Sequence, residues 1–326
     1  MSPPFKPPNR TSFALRDIAI LAQTLPQKLH ILRIKSENPS RKLSGVYGER
    51  HKQIFPGGFD STSPSSSTQR PHYSFSPERL YDVLTSGYTP EHHVEHIIVK
   101  WASYCKKISA PKHEFILLEV EDKKAPGLKN FIVLDRNNGE VSHRQTRLGY
   151  QSSQSFIAKD EFRVSYDGDR ARLFAQCNLQ DHATLETLVF KPDDPLLLYQ
   201  LATLTRAVSL QRDKYRVITY NCYWFAGLIW DCMLRMHPFA YHKVAQGQIR
   251  GAFISWLRQS INTAELDVTY EFVDKELLEI EKIFTIQKQR WVYTYDNQLK
   301  DDLEAMTKRV RDLENQLNGS SDSLRH

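Results

Sequence analysis

From Ala252 to Asn318 the chain contains no glycine and no proline. These are the residues that most readily end or kink a helix, so a run this long without them commits the C-terminal part to extended helical structure. Within it Leu299, Leu303, Met306, Val310, Leu313 and Leu317 step by 4, 3, 4, 3 and 4 residues. That spacing is the heptad seam of a coiled coil. With Leu303, Val310 and Leu317 at the a positions, Arg309 falls at g and can face Glu314 at e of a partner helix, which favours a parallel dimer. The expectation is a long helix or coiled coil over 272–318 through which two copies associate. The alternative is a helix folded back onto its own domain.

The opposite end has a different character. Residues 1–76 carry eleven Lys and Arg against four Asp and Glu, 11 − 4 = +7, more than the +6 of the whole chain. They are rich in proline and serine and include the run Ser61-Thr62-Ser63-Pro64-Ser65-Ser66-Ser67. Such a composition buries too little apolar surface to offset the entropy of ordering, so a disordered basic arm is expected. Its charge would suit an acidic partner or nucleic acid, and a solvated tail is the simpler reading.

Four cysteines, Cys105, Cys177, Cys222 and Cys232, form no CxxC pair. This argues against zinc held by cysteines and against a secreted disulfide scaffold, and it favours an intracellular home, cytoplasmic or nuclear. The one early apolar run, Phe13 to Leu25, is broken by Arg16 and Asp17 and is too short to span a bilayer. No membrane span and no cofactor are expected.

Order is expected from Ser76-Pro77-Glu78, an N-cap followed by proline at N1, with a second helix start at Thr89-Pro90-Glu91. Helices over 77–86 and 90–107 form a helical lead-in, 77–110. The period then becomes alternating. His113 to Val120 and Lys129 to Arg136 read as strands joined by a turn at Pro126-Gly127. Phe162 to Tyr166 and Arg172 to Cys177 read as a hairpin about Asp167-Gly168, and Leu185 to Phe190 as a further strand. Helices follow over Pro195 to Leu210, from Cys222 to about Met236, and around Ala252 to Ile261. The Cys222 helix is apolar nearly all round and is expected to be buried against the sheet. The fold class is α+β: over 111–265, an antiparallel sheet of about five strands packed on a cysteine-bearing helix.

A free thiol with a pKa of about 8.5 is only slightly ionised at neutral pH and needs help to act as a nucleophile. The first helical turn supplies unpaired N–H groups and the positive end of the helix dipole. An imidazole is available as well: pairing Glu119 with Lys129 sets Leu117 opposite Phe131, Phe115 opposite Val133 and His113 opposite Asp135. Cys222 as nucleophile, His113 as base and Asp135 as the residue that orients the imidazole are therefore the candidate catalytic group. The Cys222 N–H and Asn221 are candidates for binding an oxyanion, and Tyr223 and Trp224 for shaping or filling a substrate pocket. The simpler reading is that a cysteine in a Trp- and Phe-rich helix is packing, as Cys105, Cys177 and Cys232 are taken to be.

His113, Asp135 and Asn221-Cys222-Tyr223-Trp224-Phe225, in that order, resemble the permuted papain-like fold of the NlpC-type superfamily, which includes the lecithin retinol acyltransferase-like branch. In that group a histidine opens a strand of an antiparallel sheet and a polar residue follows on the next strand. The cysteine comes late, at the start of a buried helix, often within Asn-Cys-x-x-Phe. The resemblance covers roughly residues 111 to 240 and implies a hydrolase or acyltransferase that acts on an amide or (thio)ester bond through a Cys222 thioester. Tyr223-Trp224 stand where the retinol acyltransferase-like branch carries Glu-His. The alternative is a catalytically silent interaction module, dimerised by its coiled coil.

A second motif, His92-His93-Val94-Glu95-His96, fits the HxxEH pattern in which two histidines bind zinc and a glutamate activates water. On a helix over 90–107 it would face solvent, opposite Val94, Ile97, Ile98, Trp101 and Cys105, so no metal is expected.

Overall fold

The computed structural model describes residues 53–55, 72–86, 94–109, 112–125, 127–138, 156–212, 214–215, 221–247, 249–254, 257–258 and 261–322. The chain enters the core earlier than its composition suggests. Ile54 and Phe55 are buried, and β1 (His72–Phe75) is an edge strand of the main sheet, inside the segment expected to be an arm. The rest of that basic segment lies outside the described residues.

α1 (Pro77–Thr85) starts as its sequence writes it, with Ser76 Oγ accepting from Arg79 N at 3.2 Å and Pro77 in the first turn. The next segment departs from expectation. Val94–His96 is a single 3₁₀ turn, and Ile97–Lys107 is strand β2, not a helix. β2 lies between β3 (Glu114–Asp122) and β6 (His182–Val189) and is buried on both faces. An interior strand carries the same unbroken apolar run as a buried helix, and the β-branched Ile97, Ile98 and Val99 decide for strand.

With β4 (Lys129–Asn138), β5 (Phe156–Ser165) and β9 (Tyr241–Val244) the order is β1-β5-β4-β3-β2-β6-β9; β7 (Leu196–Leu197) joins β2 and β8 (Lys214–Tyr215) joins β5. All pairs are antiparallel. The sheet therefore exceeds the five strands expected, largely because β1, β2 and β9 did not declare themselves.

The hairpin expected at Asp167-Gly168 is instead β5 followed by helix α2 (Arg170–Cys177). Asp169 caps α2 by accepting from Arg172 N at 3.0 Å, and Asn178 closes it in the left-handed region at φ 56°. Turn-forming residues announce a helix cap as readily as a hairpin. The described residues of 252–261 likewise include two short strands, β10 (Ala252–Ile254) and β11 (Leu257–Arg258), where a helix was expected.

One face of the sheet, with Tyr104, Ile116, Leu118, Ile132, Leu134 and Phe162, forms the main core with α3 (Leu198–Gln211) and α4 (Cys222–Met236). The other face, with Cys105, Phe115, Leu117, Phe131 and Val133, is covered by Leu173 and Phe174 of α2 and by Leu179. α4 is buried almost throughout, as its all-round apolar sequence requires.

A buried ion pair ties these layers together. Arg136, fully buried, donates from Nε and Nη2 to Asp160 at 2.6 and 2.7 Å, and from Nη2 to the carbonyl of Arg212 at 3.0 Å. Its guanidinium carbon lies 5.0 and 4.9 Å from the ring centres of Trp224 and Phe225, at the start of α4.

α5 (Thr263–Asp322) is one continuous helix in two regimes. Val273, Leu277, Ile280 and Phe284 are buried on the domain, which is the folded-back arrangement. Beyond them Val292, Leu299, Leu303, Met306 and Val310 are exposed. The side chains of Leu313 and Leu317 lie outside the described residues. Among the described residues no helix is long and apolar enough to cross a membrane.

Candidate active site

α4 begins at Cys222 because Asn221 caps it. Asn221 has an extended backbone (φ −105°, ψ −167°), and its Oδ1 accepts from Tyr223 N at 3.0 Å and Trp224 N at 3.2 Å. The Asn221 side-chain carbonyl is therefore engaged in starting the helix, which leaves Nδ2 as the only side-chain group that could donate to an oxyanion. Tyr223 and Trp224 are tethered too. Tyr223 Oη donates to the carbonyl of Lys112 at 2.5 Å, and Trp224 Nε1 donates to Glu265 on α5 at 3.1 Å. The first of these bonds holds the residue before His113 against the residue after Cys222.

His113 precedes β3, and its carbonyl accepts from Lys107 N at 2.7 Å. Its ring stacks near that of Phe115, with centres 6.2 Å apart. Nε2 lies 2.9 Å from Asp135 Oδ2. The pairing differs from the register read in the sequence. Glu121 stands opposite Lys129, Glu119 opposite Phe131 and Leu117 opposite Val133, a shift of two residues. Continued toward His113, that register makes His113 and Asp135 diagonal neighbours. The shift preserves the contact for a physical reason. Directly opposed Cβ atoms are about 5 Å apart and diagonal ones about 7 Å, and the longer separation better accommodates an imidazole and a carboxylate bonded end to end.

Cys222 closes the group. The bond from Tyr223 Oη to the Lys112 carbonyl draws the start of α4 to the His113 segment, and Cys222 is among the groups near enough to raise the His113 imidazole. Burial alone would push the His113 imidazole down, but the Asp135 bond and the proximity of Cys222 hold it at about 10. Burial would raise Asp135, yet the His113 bond and the Arg163 charge keep its carboxyl below the usual carboxylate value. The imidazole can thus take a proton from the thiol, with a carboxylate behind it to stabilise the resulting cation. Cys222 itself is only 4% exposed.

Two contributors escaped the sequence reading. Arg163 of β5 donates from Nη2 to Asp135 Oδ2 at 2.5 Å, and Asn137 donates to the same oxygen at 3.1 Å. The available signal was an arginine set between the apolar Phe162 and Val164. Glu114 points to the opposite face, as alternation requires. It is fully buried and accepts from Tyr104 Oη at 2.5 Å, Lys106 Nζ at 3.2 Å and Gly251 N at 3.1 Å.

The remaining candidates separate from this group. The four cysteines are all unpaired, and burial pushes the Cys105 and Cys232 thiols up to about 12, the range of inert packing residues. In the HxxEH motif His92 lies outside the described residues, while Glu95 and His96 sit in the 3₁₀ turn, where no helical i, i+4 face exists. Among the described residues no cluster of His, Cys, Asp and Glu could hold a metal ion. No family model, curated protein or solved structure matches the chain.

Proposed function

We propose that the chain is a cysteine-dependent hydrolase or acyltransferase acting on an amide or (thio)ester bond. Cys222 Sγ attacks the carbonyl carbon while its proton passes to His113. The bond to the amine, alcohol or thiol leaving group then breaks as His113 returns the proton to it, leaving a Cys222 thioester for water or a second acceptor to resolve. Asp135 orients the imidazole. The observation that carries this reading is an imidazole 2.9 Å from a buried carboxylate, with the segment that bears it tied by the Tyr223–Lys112 bond to a capped helix that begins at a cysteine. The order His113, Asp135, Cys222 and its likeness to the papain-like arrangement support it, and four cysteines without a CxxC pair suit a reducing compartment, cytoplasmic or nuclear.

The burial of Cys222, with Asn221, Tyr223 and Trp224 committed to structural bonds, favours a second reading: a catalytically silent module whose role is association. The exposed seam Leu299, Leu303, Met306 and Val310 supports a coiled-coil dimer, continued in sequence by Leu313 and Leu317. Iodoacetamide labelling as a function of pH separates the two readings. The enzyme requires Cys222 to react well below pH 8.5 and His113→Ala to lose that reactivity. Equal labelling of parent and variant leaves only the silent module. Dimerisation is tested by sedimentation equilibrium of the full chain against a chain ending at Arg290, which retains the buried Phe284. A fall in mass supports the dimer, and monomers in both refute it.

A further inference from the structure

Asp135 is 1% exposed on its side chain, yet three donors converge on its Oδ2: His113 Nε2 at 2.9 Å, Asn137 Nδ2 at 3.1 Å and Arg163 Nη2 at 2.5 Å. Two of them come from the elements read as the site. The third comes from β5, where Arg163 stands opposite Val133 and so reaches Asp135 along a diagonal. A carboxylate this deep is costly to keep ionised unless a cation accompanies it. Arg163, itself 12% exposed on its side chain, is the cation in place whatever the protonation of His113.

The surroundings make that role specific. The charged and titratable groups facing the pair are Glu161 and Arg163 of β5, His72 of β1, Cys177 at the end of α2, and Cys222 of α4. Glu161 is bonded to Lys159 at 2.9 Å, and Arg163 Nε approaches it only to 3.8 Å. Cys177 is near enough to Arg163 to help keep its guanidinium charged. The planar fork is thus held on Asp135, with the end of α2 beside it.

We infer that Arg163 is a positioning residue of the site: it fixes Asp135 Oδ2 from the neighbouring strand and balances its charge, so that the carboxylate orients His113 while holding the ring's proton less tightly than an unaccompanied carboxylate would. The inference rests on the reading of His113 and Cys222 as the reacting groups. Without Arg163 the carboxylate would draw a proton to His113 more strongly, and the imidazole would release it less readily to a leaving group.

The test follows the His113 proton directly, by NMR titration of ring-labelled histidine in the full chain carrying Cys222→Ala, so that the result does not depend on activity. Arg163→Met should raise the His113 midpoint by about one pH unit. Arg163→Lys should restore it to within a few tenths. Arg163→Gln, which keeps a donor and removes the charge, should behave like the methionine variant and serves in its place if that protein does not fold. A midpoint that stays put in the neutral variants overturns the inference. A shifted midpoint combined with Cys222 labelling that ignores His113 upholds the Arg163 role on the His113–Asp135 pair and sinks the thiol reading instead.

Discussion

Arg136→Met removes the cation of a fully desolvated pair and leaves Asp160 buried with only Ser209 Oγ, at 2.6 Å, to bond it. Arg136 makes two charge-assisted bonds to that carboxylate, one to the Arg212 carbonyl, and contacts with the Trp224 and Phe225 rings. Breaking one side of a buried pair costs about 3–5 kcal/mol, mostly the stranded charge rather than the lost attraction. With a urea slope of about 2 kcal/mol per molar, the midpoint should fall by about 2 M. Asp160→Asn should cost a similar amount. The double variant, with neither charge left, should cost about as much as one single change, a coupling of about 3 kcal/mol. The assay is urea unfolding followed by tryptophan fluorescence and circular dichroism. If each single variant loses less than about 1 kcal/mol, or if the two losses simply add, the pair does not join the sheet to α4 as described.

Three further outcomes are expected. Asn221→Ala should cost about 1–2 kcal/mol in the same assay, since Tyr223 and Trp224 N–H both lose their acceptor, and Asn221→Asp should recover most of it. The stability contribution of His113 is governed by a folded pKa of about 10, above its ordinary 6.5. It should be full below about pH 6.5 and lost as the pH rises through about 10, so the difference in unfolding midpoint between parent and His113→Gln should shrink over that window; a constant difference refutes the assignment. A chain ending at Arg290 should keep its unfolding midpoint within about 0.5 kcal/mol of the parent, whereas one ending at Asp267 forfeits the burial of Val273, Leu277, Ile280 and Phe284, about 1.5–3 kcal/mol each, and should not fold stably.

How much of this was legible in the sequence varies by element and by cause. The cap and proline of α1, the β3 and β4 strands and the apolar α4 beginning at Cys222 were readable, because each is written in local chemistry: a cap residue, a period of two, an all-round apolar helix. β2 was not, since a strand buried on both faces shows no alternation and its apolar residues also satisfy a helical period. α2 was missed because Asp169 and Asn178 act at helix ends with the same residue types that close hairpins. For the candidate site, the sequence singled out His113, Asp135, Asn221 and Cys222; the structure bonds His113 to Asp135 and makes Asn221 the cap of the helix that Cys222 begins. Their neighbour Arg163 was hidden, because it is supplied by β5 and no local pattern states which strand will lie beside β4.

The diagonal contact between His113 and Asp135 bears on how the chain folds. A slip of two residues between β3 and β4 leaves every side chain on its own face, so apolar burial scarcely distinguishes the two registers. Charge scarcely does either, since Lys129 meets Glu121 in one and Glu119 in the other. The isolated hairpin is therefore frustrated between two nearly equivalent pairings, and the choice falls to the neighbours, β2 with its irregularity between Val99 and Trp101 and β5 with Arg163. The expected order is a hairpin that forms early and a register that becomes fixed only when those strands dock. Pulse-labelled hydrogen exchange should then show β3 and β4 amides protected in step with β5, and protection of β3 and β4 well ahead of it would exclude this order.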